Sequence, residues 1–227
     1  MNRFIIANLK SNKTRESLRS WFDDLGELTT SSIEKVIVAV PYHLLAVARE
    51  EITRRNLPIE LAAQDVSPFP MGAYTGEVAA DQLKEFGVKY CIVGHSERRR
   101  YLGETDELVL KKIEMLGITG ITPILCVSEE SVDSQLSLLT NSSEALIVAY
   151  EPVGSIGTGK NQSVDIVSAF VKKVRLMFAN SPVIYGGSVN ELDVNEYLLV
   201  TDGVLVGTAS LDATQFSKVL EAARVDG

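Results

Sequence analysis

The amino-acid sequence predicts an α/β fold in which a parallel, eight-stranded sheet closes into a (β/α)8 barrel. Three observations predict it. Eight short β-branched runs recur along the chain, each nearly continuous in apolar residues, as strands covered on both faces require. Helical patterns separate them, and strand–helix alternation demands right-handed crossovers between parallel strands. No linker, repeat or low-complexity tract interrupts the series, so one domain is expected over residues 1–227. Such a chain can build a doubly wound open sheet or a closed barrel, and eight units select the barrel.

In order, "RFIIAN" is the first strand and is followed by a helix from Arg15 to Leu28. "KVIVAV" precedes a helix from Leu44 to Arg55, and "IELAAQ" leads through a long loop to a short helix from Asp81 to Phe86. After "KYCIVG" the clearest helical pattern runs from Thr105 to Leu116, where Leu108, Lys111 and Lys112 alternate with Val109, Ile113 and Leu116. "TPILCV" is followed by "SEESVDSQLSLL", whose Val132, Leu136 and Leu139 fall at i, i+4 and i+7 and predict three turns. "ALIVAY" precedes a helix from Ser163 to Phe178, "PVIYGG" one from Glu191 to Leu199, and "DGVLVG" one from Ala213 to Ala223.

Length and charge narrow the function. A chain of 227 residues buries roughly 70 to 75% of its unfolded surface, enough for one large core. The formal net charge is −8 and the longest basic block is Arg98 to Arg100, which argues against nucleic acid or an acidic membrane as partner. "FIIA" is too short for a signal-peptide core and no run of about 18 apolar residues exists, so a cytoplasmic protein is expected. Cys91 and Cys126 lie in apolar runs and read as small buried hydrophobes, and two histidines without a Cys/His cluster argue against zinc.

In a parallel barrel the chemistry sits at the C-terminal ends of the strands. Strand one ends in Asn8 and Lys10, strand four in Gly94, His95, Ser96 and Glu97, and strand six in Glu151. An amine, an imidazole and a carboxylate at one mouth suit proton transfer at carbon: a base, a donor to polarise a carbonyl, and a cation for the charge that develops. Strands seven and eight end in "YGGS" (Tyr185 to Ser188) and "GTAS" (Gly207 to Ser210), where small residues let backbone N–H groups approach an anion.

Taken together, "ANLKSN", "GAYTGE", "VGHSERR", "AYEPVGSIGTGK", "YGGSV" and "VLVGTASL" resemble, in order and from end to end, the motifs of the triosephosphate isomerases. The resemblance implies a TIM barrel that interconverts D-glyceraldehyde 3-phosphate and dihydroxyacetone phosphate through an enediolate, with no metal or organic cofactor. It assigns the base to Glu151, a neutral donor to His95 and the cation to Lys10, the family's known arrangement of carboxylate, imidazole and closing loop. Asn8 would position the reacting oxygens, Ser96 and Glu97 would support the site from behind, and backbone N–H groups of Gly157, Ser188, Gly207 and Thr208 would hold the phosphate. "PVGSIGTGK" would close over the ligand and expel water. The loop from Gln64 to Glu77, apolar at Pro68, Phe69, Pro70 and Met71, enters a neighbouring subunit in this family, so the resemblance implies a homodimer in which Thr75 reaches the partner's site.

The chain departs from the family pattern at several points. Gly154 replaces a bulky aromatic, which loosens the first hinge of the loop by roughly 0.5 to 1 kcal/mol. Thr208 replaces a second glycine and is expected to crowd the phosphate, Leu9 replaces a tryptophan, and the segment after Cys126 is short and reads "VSEE". Three other functions compete for the same residues. Gly154, Gly159 and Lys160 fit part of a nucleotide-binding P-loop, but Asn161 lacks the magnesium-binding hydroxyl and only Asp202 offers a loose acidic strand. A different phosphate-binding barrel isomerase conflicts with the joint presence of Asn8, Lys10, His95 and Glu151. A catalytically impaired barrel that keeps the fold and phosphate site predicts a missing catalytic side chain, and none is missing.

Overall fold

Each apolar run forms a parallel strand, and the strands close into a barrel in chain order, the eighth pairing with the first. The computed structural model describes residues 3–26, 34–139, 145–153 and 161–224. The first half holds β1 (Arg3–Asn8), α1 (Arg15–Leu25), β2 (Glu34–Val40), α2 (Leu45–Arg54), β3 (Ile59–Ala63) and α3 (Ala80–Glu85). Next come β4 (Tyr90–Val93), α4 (Ser96–Leu102), α5 (Asp106–Thr119), β5 (Thr122–Val127) and α6 (Val132–Leu138). The last part holds β6 (Ile147–Tyr150), α7 (Val164–Met177), β7 (Val183–Tyr185), α8 (Val194–Leu198), β8 (Gly203–Val206) and α9 (Ala213–Ala223). No described helix is long and apolar enough to cross a membrane.

The structure corrects several expected boundaries. α1 stops at Leu25 because Gly26 turns the chain with φ +68 and donates its N–H to Asp23, while Thr14 and Ser17 close a capping box at the start. α6 has seven residues, two turns rather than three. α8 begins three residues late because Asn190–Asp193 is spent on a side-chain-capped turn, with Asp193 accepting from the Asn190 N–H at 2.8 Å. α4 has no helical pattern in the sequence: "SERRRYL" buries none of its residues, so no apolar stripe announces it. It forms because His95 caps its start, Gly103 ends it in the left-handed conformation, and Glu97 and two arginines match its dipole.

Strand alternation divides the core in two. Ile6, Ile37, Ala62, Ile92, Ile124, Ala149, Ile184 and Leu205 fill the barrel interior. Their neighbours, such as Ile5, Val38, Leu125 and Val148, face outward into a second layer beneath the helices. Both layers are apolar, which is why the strands read as continuous runs. Each fully buried Ile or Leu stabilises the fold by ~1.5–3 kcal/mol.

One buried cluster is ionic. Lys112 of α5, 2% exposed, bonds Asp65 at 2.6 Å and Glu104, and Arg98 of α4 bonds the same two acids. Two acids face two bases, so the charges cancel inside the protein. The cluster joins the end of β3 to α4, α5 and the turn between them.

Candidate active site

The period of two that fills the barrel also builds the site. One step beyond the apolar interior layer, the inward positions are Asn8, Gln64, Cys126, Glu151, Gly186 and Gly207. Asn8, Glu151, Gly186 and Gly207 line a cavity of about 230 Å³, together with Lys10, His95, Ser188 and Thr208. Val189, Asn190 and Gln215 add further wall. The volume lies below the usual ~300–1,000 Å³ of drug-sized sites and suits a small ligand.

Lys10 reaches the cavity by way of an uncommon backbone, with φ +50, which costs a side-chain-bearing residue on the order of 1–3 kcal/mol. Hydrogen bonds hold it there. Asn8 Oδ1 accepts from the Lys10 N–H at 3.0 Å. Gln64 Nε2 donates to Asn8 Oδ1 at 3.2 Å and to the carbonyls of Lys10 and Ala39, both at 3.0 Å. The ammonium lies 2.5 Å from Glu97 Oε1. Lys10 is the only cation among the described residues that line the cavity.

His95 sits at the junction of β4 and α4. Its Nδ1 accepts the Glu97 N–H at 3.2 Å and therefore carries no proton. The ring proton is on Nε2, which faces Glu151 Oε1 at 3.1 Å. The imidazole is thus neutral and its donor points into the cavity. Glu151, 2% exposed, is also held by the Ser96 N–H at 2.9 Å to Oε2. Space for the carboxylate depends on Gly186, since a Cβ there would lie 3.1 Å from Glu151 Cγ. Below it, burial first and the Glu151 carboxylate second push the Cys126 thiol well above its ordinary range, so it stays protonated beside the acid.

At the other end of the cavity the backbone dominates. Gly187 admits no side chain, because a Cβ would come 2.2 Å from the Tyr185 hydroxyl. After Gly207 the chain makes a 3-10 turn, Thr208–Leu211, whose first N–H groups have no acceptor within the turn. Ser210 fixes that turn by donating to the carbonyls of Gly207 at 2.7 Å and Asn8 at 3.2 Å. The Lys10 stem passes 3.4 Å from where a Gly207 Cβ would lie, so ammonium and turn share one space.

Of the residues expected from sequence, Asn8, Lys10, His95, Glu151, Ser188, Gly207 and Thr208 come together around one cavity, with Ser96 and Glu97 in contact behind. Thr208 is exposed, and Leu9 is buried in the outer core layer, where it packs. Thr75 is exposed in its loop and does not line this cavity. Gly154, Gly157, Gly159 and Lys160 lie outside the described residues. Sequence reading missed Gln64, taken as the start of a loop, and the contact of Cys126 with Glu151. Counting two residues onward from Ala62 and Ile124 places both side chains on the inward face, though it does not disclose the contact across strands. It also missed Glu129, which accepts from the Tyr150 hydroxyl and from the Val153 N–H at 3.4 Å.

Comparison with known proteins agrees with this geometry. The family model for triosephosphate isomerase matches residues 3–223. The triosephosphate isomerase of Thermus thermophilus is 39% identical in an alignment, gaps included, of length 251 that takes in 98% of this chain and all of that protein. Those of Synechococcus sp. (strain JA-2-3B'a(2-13)) and Nostoc sp. (strain PCC 7120) are each 36% identical, covering 95% and 97% of this chain and 95% and 99% of theirs. With a family model that runs from the first strand to the last helix and relatives aligned over nearly their whole length, the chain belongs to the triosephosphate isomerase family.

Proposed function

We propose that the protein interconverts D-glyceraldehyde 3-phosphate and dihydroxyacetone phosphate. The observation that carries the reading is the His95–Glu151 pair, 3.1 Å apart, with the imidazole held neutral by the Glu97 N–H. Glu151 occupies the place that a substrate oxygen would take against Nε2. When a carbonyl displaces it, the carboxylate turns to the substrate carbon beside that carbonyl and removes its proton. The C–H electron pair becomes the enediolate double bond, and charge gathers on the oxygen facing His95 and Lys10. The hydroxyl proton passes between the two oxygens across His95 Nε2, and Glu151 returns its proton to the neighbouring carbon. Asn8 orients Lys10, and the phosphate rests on the backbone of Ser188, Gly207 and Thr208, with Gly157 a further donor.

The test is the interconversion rate of the wild type beside Glu151→Gln, which keeps the shape and removes the base. A loss of about 10²- to 10⁴-fold is expected. A folded but inactive wild type would overturn the reading in favour of an impaired barrel, which nothing in the site favours.

A homodimer is part of the proposal. The loop after β3 is ordered by its own bonds, Ser67 N–H to Val78 at 2.9 Å and Glu77 N–H to Tyr74 at 3.0 Å. Yet it presents a stacked Phe69–Tyr74 pair and Met71, 64% exposed, to solvent. Tyr101 and Leu102 of α4 are 69% and 64% exposed. A second copy would cover both groups and bring Thr75 to the partner's site. Sedimentation should give twice the chain mass, and Met71→Asp should give monomers. Cytoplasmic location is proposed alongside, in keeping with the two free, buried cysteines.

A further inference from the structure

The anion end of the cavity is stitched to residues 161 and 162 by groups the reaction does not use. Gln162 is gripped on both sides of its backbone: its N–H donates to the Tyr185 hydroxyl at 3.1 Å, and its carbonyl accepts from the Tyr197 hydroxyl at 2.8 Å. The two tyrosine rings are stacked, 4.1 Å between centroids and 22° apart, and both are buried, at 0% and 3% exposure. Tyr185 is the last residue of β7, directly before Gly186. Its hydroxyl lies over Gly187, at 2.2 Å from where a Cβ would be. The position of that hydroxyl therefore limits where the Gly187 peptide can go. On the other side of the same turn, Asn161 donates to Asp193, and Asp193 accepts from the Asn190 N–H at 2.8 Å.

We propose that Tyr197 is a positioning residue for the anion end of the site: by stacking on Tyr185 and holding the Gln162 carbonyl, it fixes the Gly186–Ser188 backbone that receives the phosphate. The inference rests on the reading given above of that end as the phosphate site. Tyr197 reaches no substrate atom and acts only through Tyr185 and Gln162. A buried tyrosine hydroxyl needs a partner, and this one spends its bond on the residue that Tyr185 also holds. Loss of the hydroxyl frees one side of Gln162 but leaves the ring stack. Loss of the ring frees Tyr185 as well.

The experiment compares wild type, Tyr197→Phe, Tyr197→Leu and, as a control for general loss of stability, Ile113→Val in the core beneath α5. Each is assayed for kcat and KM with glyceraldehyde 3-phosphate and for direct binding of inorganic phosphate by calorimetry, with Tm measured alongside. For Tyr197→Phe, KM and the phosphate Kd should both rise about 3- to 10-fold, the worth of one net hydrogen bond, with kcat changed less. Tyr197→Leu should exceed that shift, and Ile113→Val should lower Tm without moving either constant. If the Tyr197 variants lower Tm yet leave KM and phosphate Kd at wild-type values, the tyrosine only packs and the proposal falls. If the wild type binds phosphate but does not isomerise, the reaction assigned above fails, and the phosphate Kd still decides the role of Tyr197. A wild type that does not bind phosphate overturns both.

Discussion

Lys10 shows how much a single side chain depends on its neighbours. Its strained backbone places the ammonium beside Glu97 and over the end of β8, and Gln64 secures it with bonds to oxygens of Asn8, Lys10 itself and Ala39. Gln64→Ala should therefore act on activity as well as stability. We expect kcat/KM to fall about 10- to 100-fold as the cation drifts, alongside a loss of about 1–3 kcal/mol in urea unfolding. A loss of stability with unchanged kcat/KM would show that Lys10 holds its place unaided. The sequence disclosed Lys10 because a lysine at a strand end is conspicuous, whereas Gln64 looked like the first polar residue of a loop. Cys126 was equally hard to place: its burial follows from its apolar neighbours, but its contact with Glu151 arises across adjacent strands and leaves no mark along the chain.

Elements were legible in proportion to their apolar stripe. α5 and α7 bury regular faces and were expected close to where they occur, whereas α4 buries nothing and shows no pattern from which to read its extent, although it carries Glu97 and the N–H that holds Glu151. Charges also join elements that do bury apolar faces, as between α1 and α2. Glu51 of α2, 2% exposed, meets Arg19 at 3.3 Å, Arg54 at 2.6 Å and Arg55 at 3.0 Å. Burial alone would raise its pKa, but hydrogen bonds from Arg54 and Arg55 outweigh that and hold the carboxyl below its ordinary 4.5. A lowered folded-state pKa means stability that is present above the unfolded value and lost as pH falls through the folded one. The Tm advantage of wild type over Glu51→Gln should thus be full above about pH 4.5 and shrink steadily below it. An advantage that grew on acidification would reverse this assignment.

At the scale of the molecule, the barrel and the mouth that holds the site could be read from eight apolar runs and the residues that end them. The tertiary ionic cluster could not, because Asp65, Arg98, Glu104 and Lys112 come from four separate stretches and looked like ordinary surface charges. Removing one member leaves a buried charge without its partner. Lys112→Met should cost about 3–5 kcal/mol in denaturant unfolding, while replacing all four with apolar residues of similar volume should cost far less. A small loss for Lys112→Met alone would mean that water already reaches the cluster. Closure of the ring has a consequence for how the protein is made. β1 is paired on one side by β2, but its other side waits for β8, which begins at Gly203. At a synthesis rate of ~5–20 residues per second, the ribosome takes roughly 10–40 s to travel from the end of one to the start of the other. For all of that interval the nascent chain carries an open strand edge, the kind of surface that chaperones shield and that crowded polysomes can mispair.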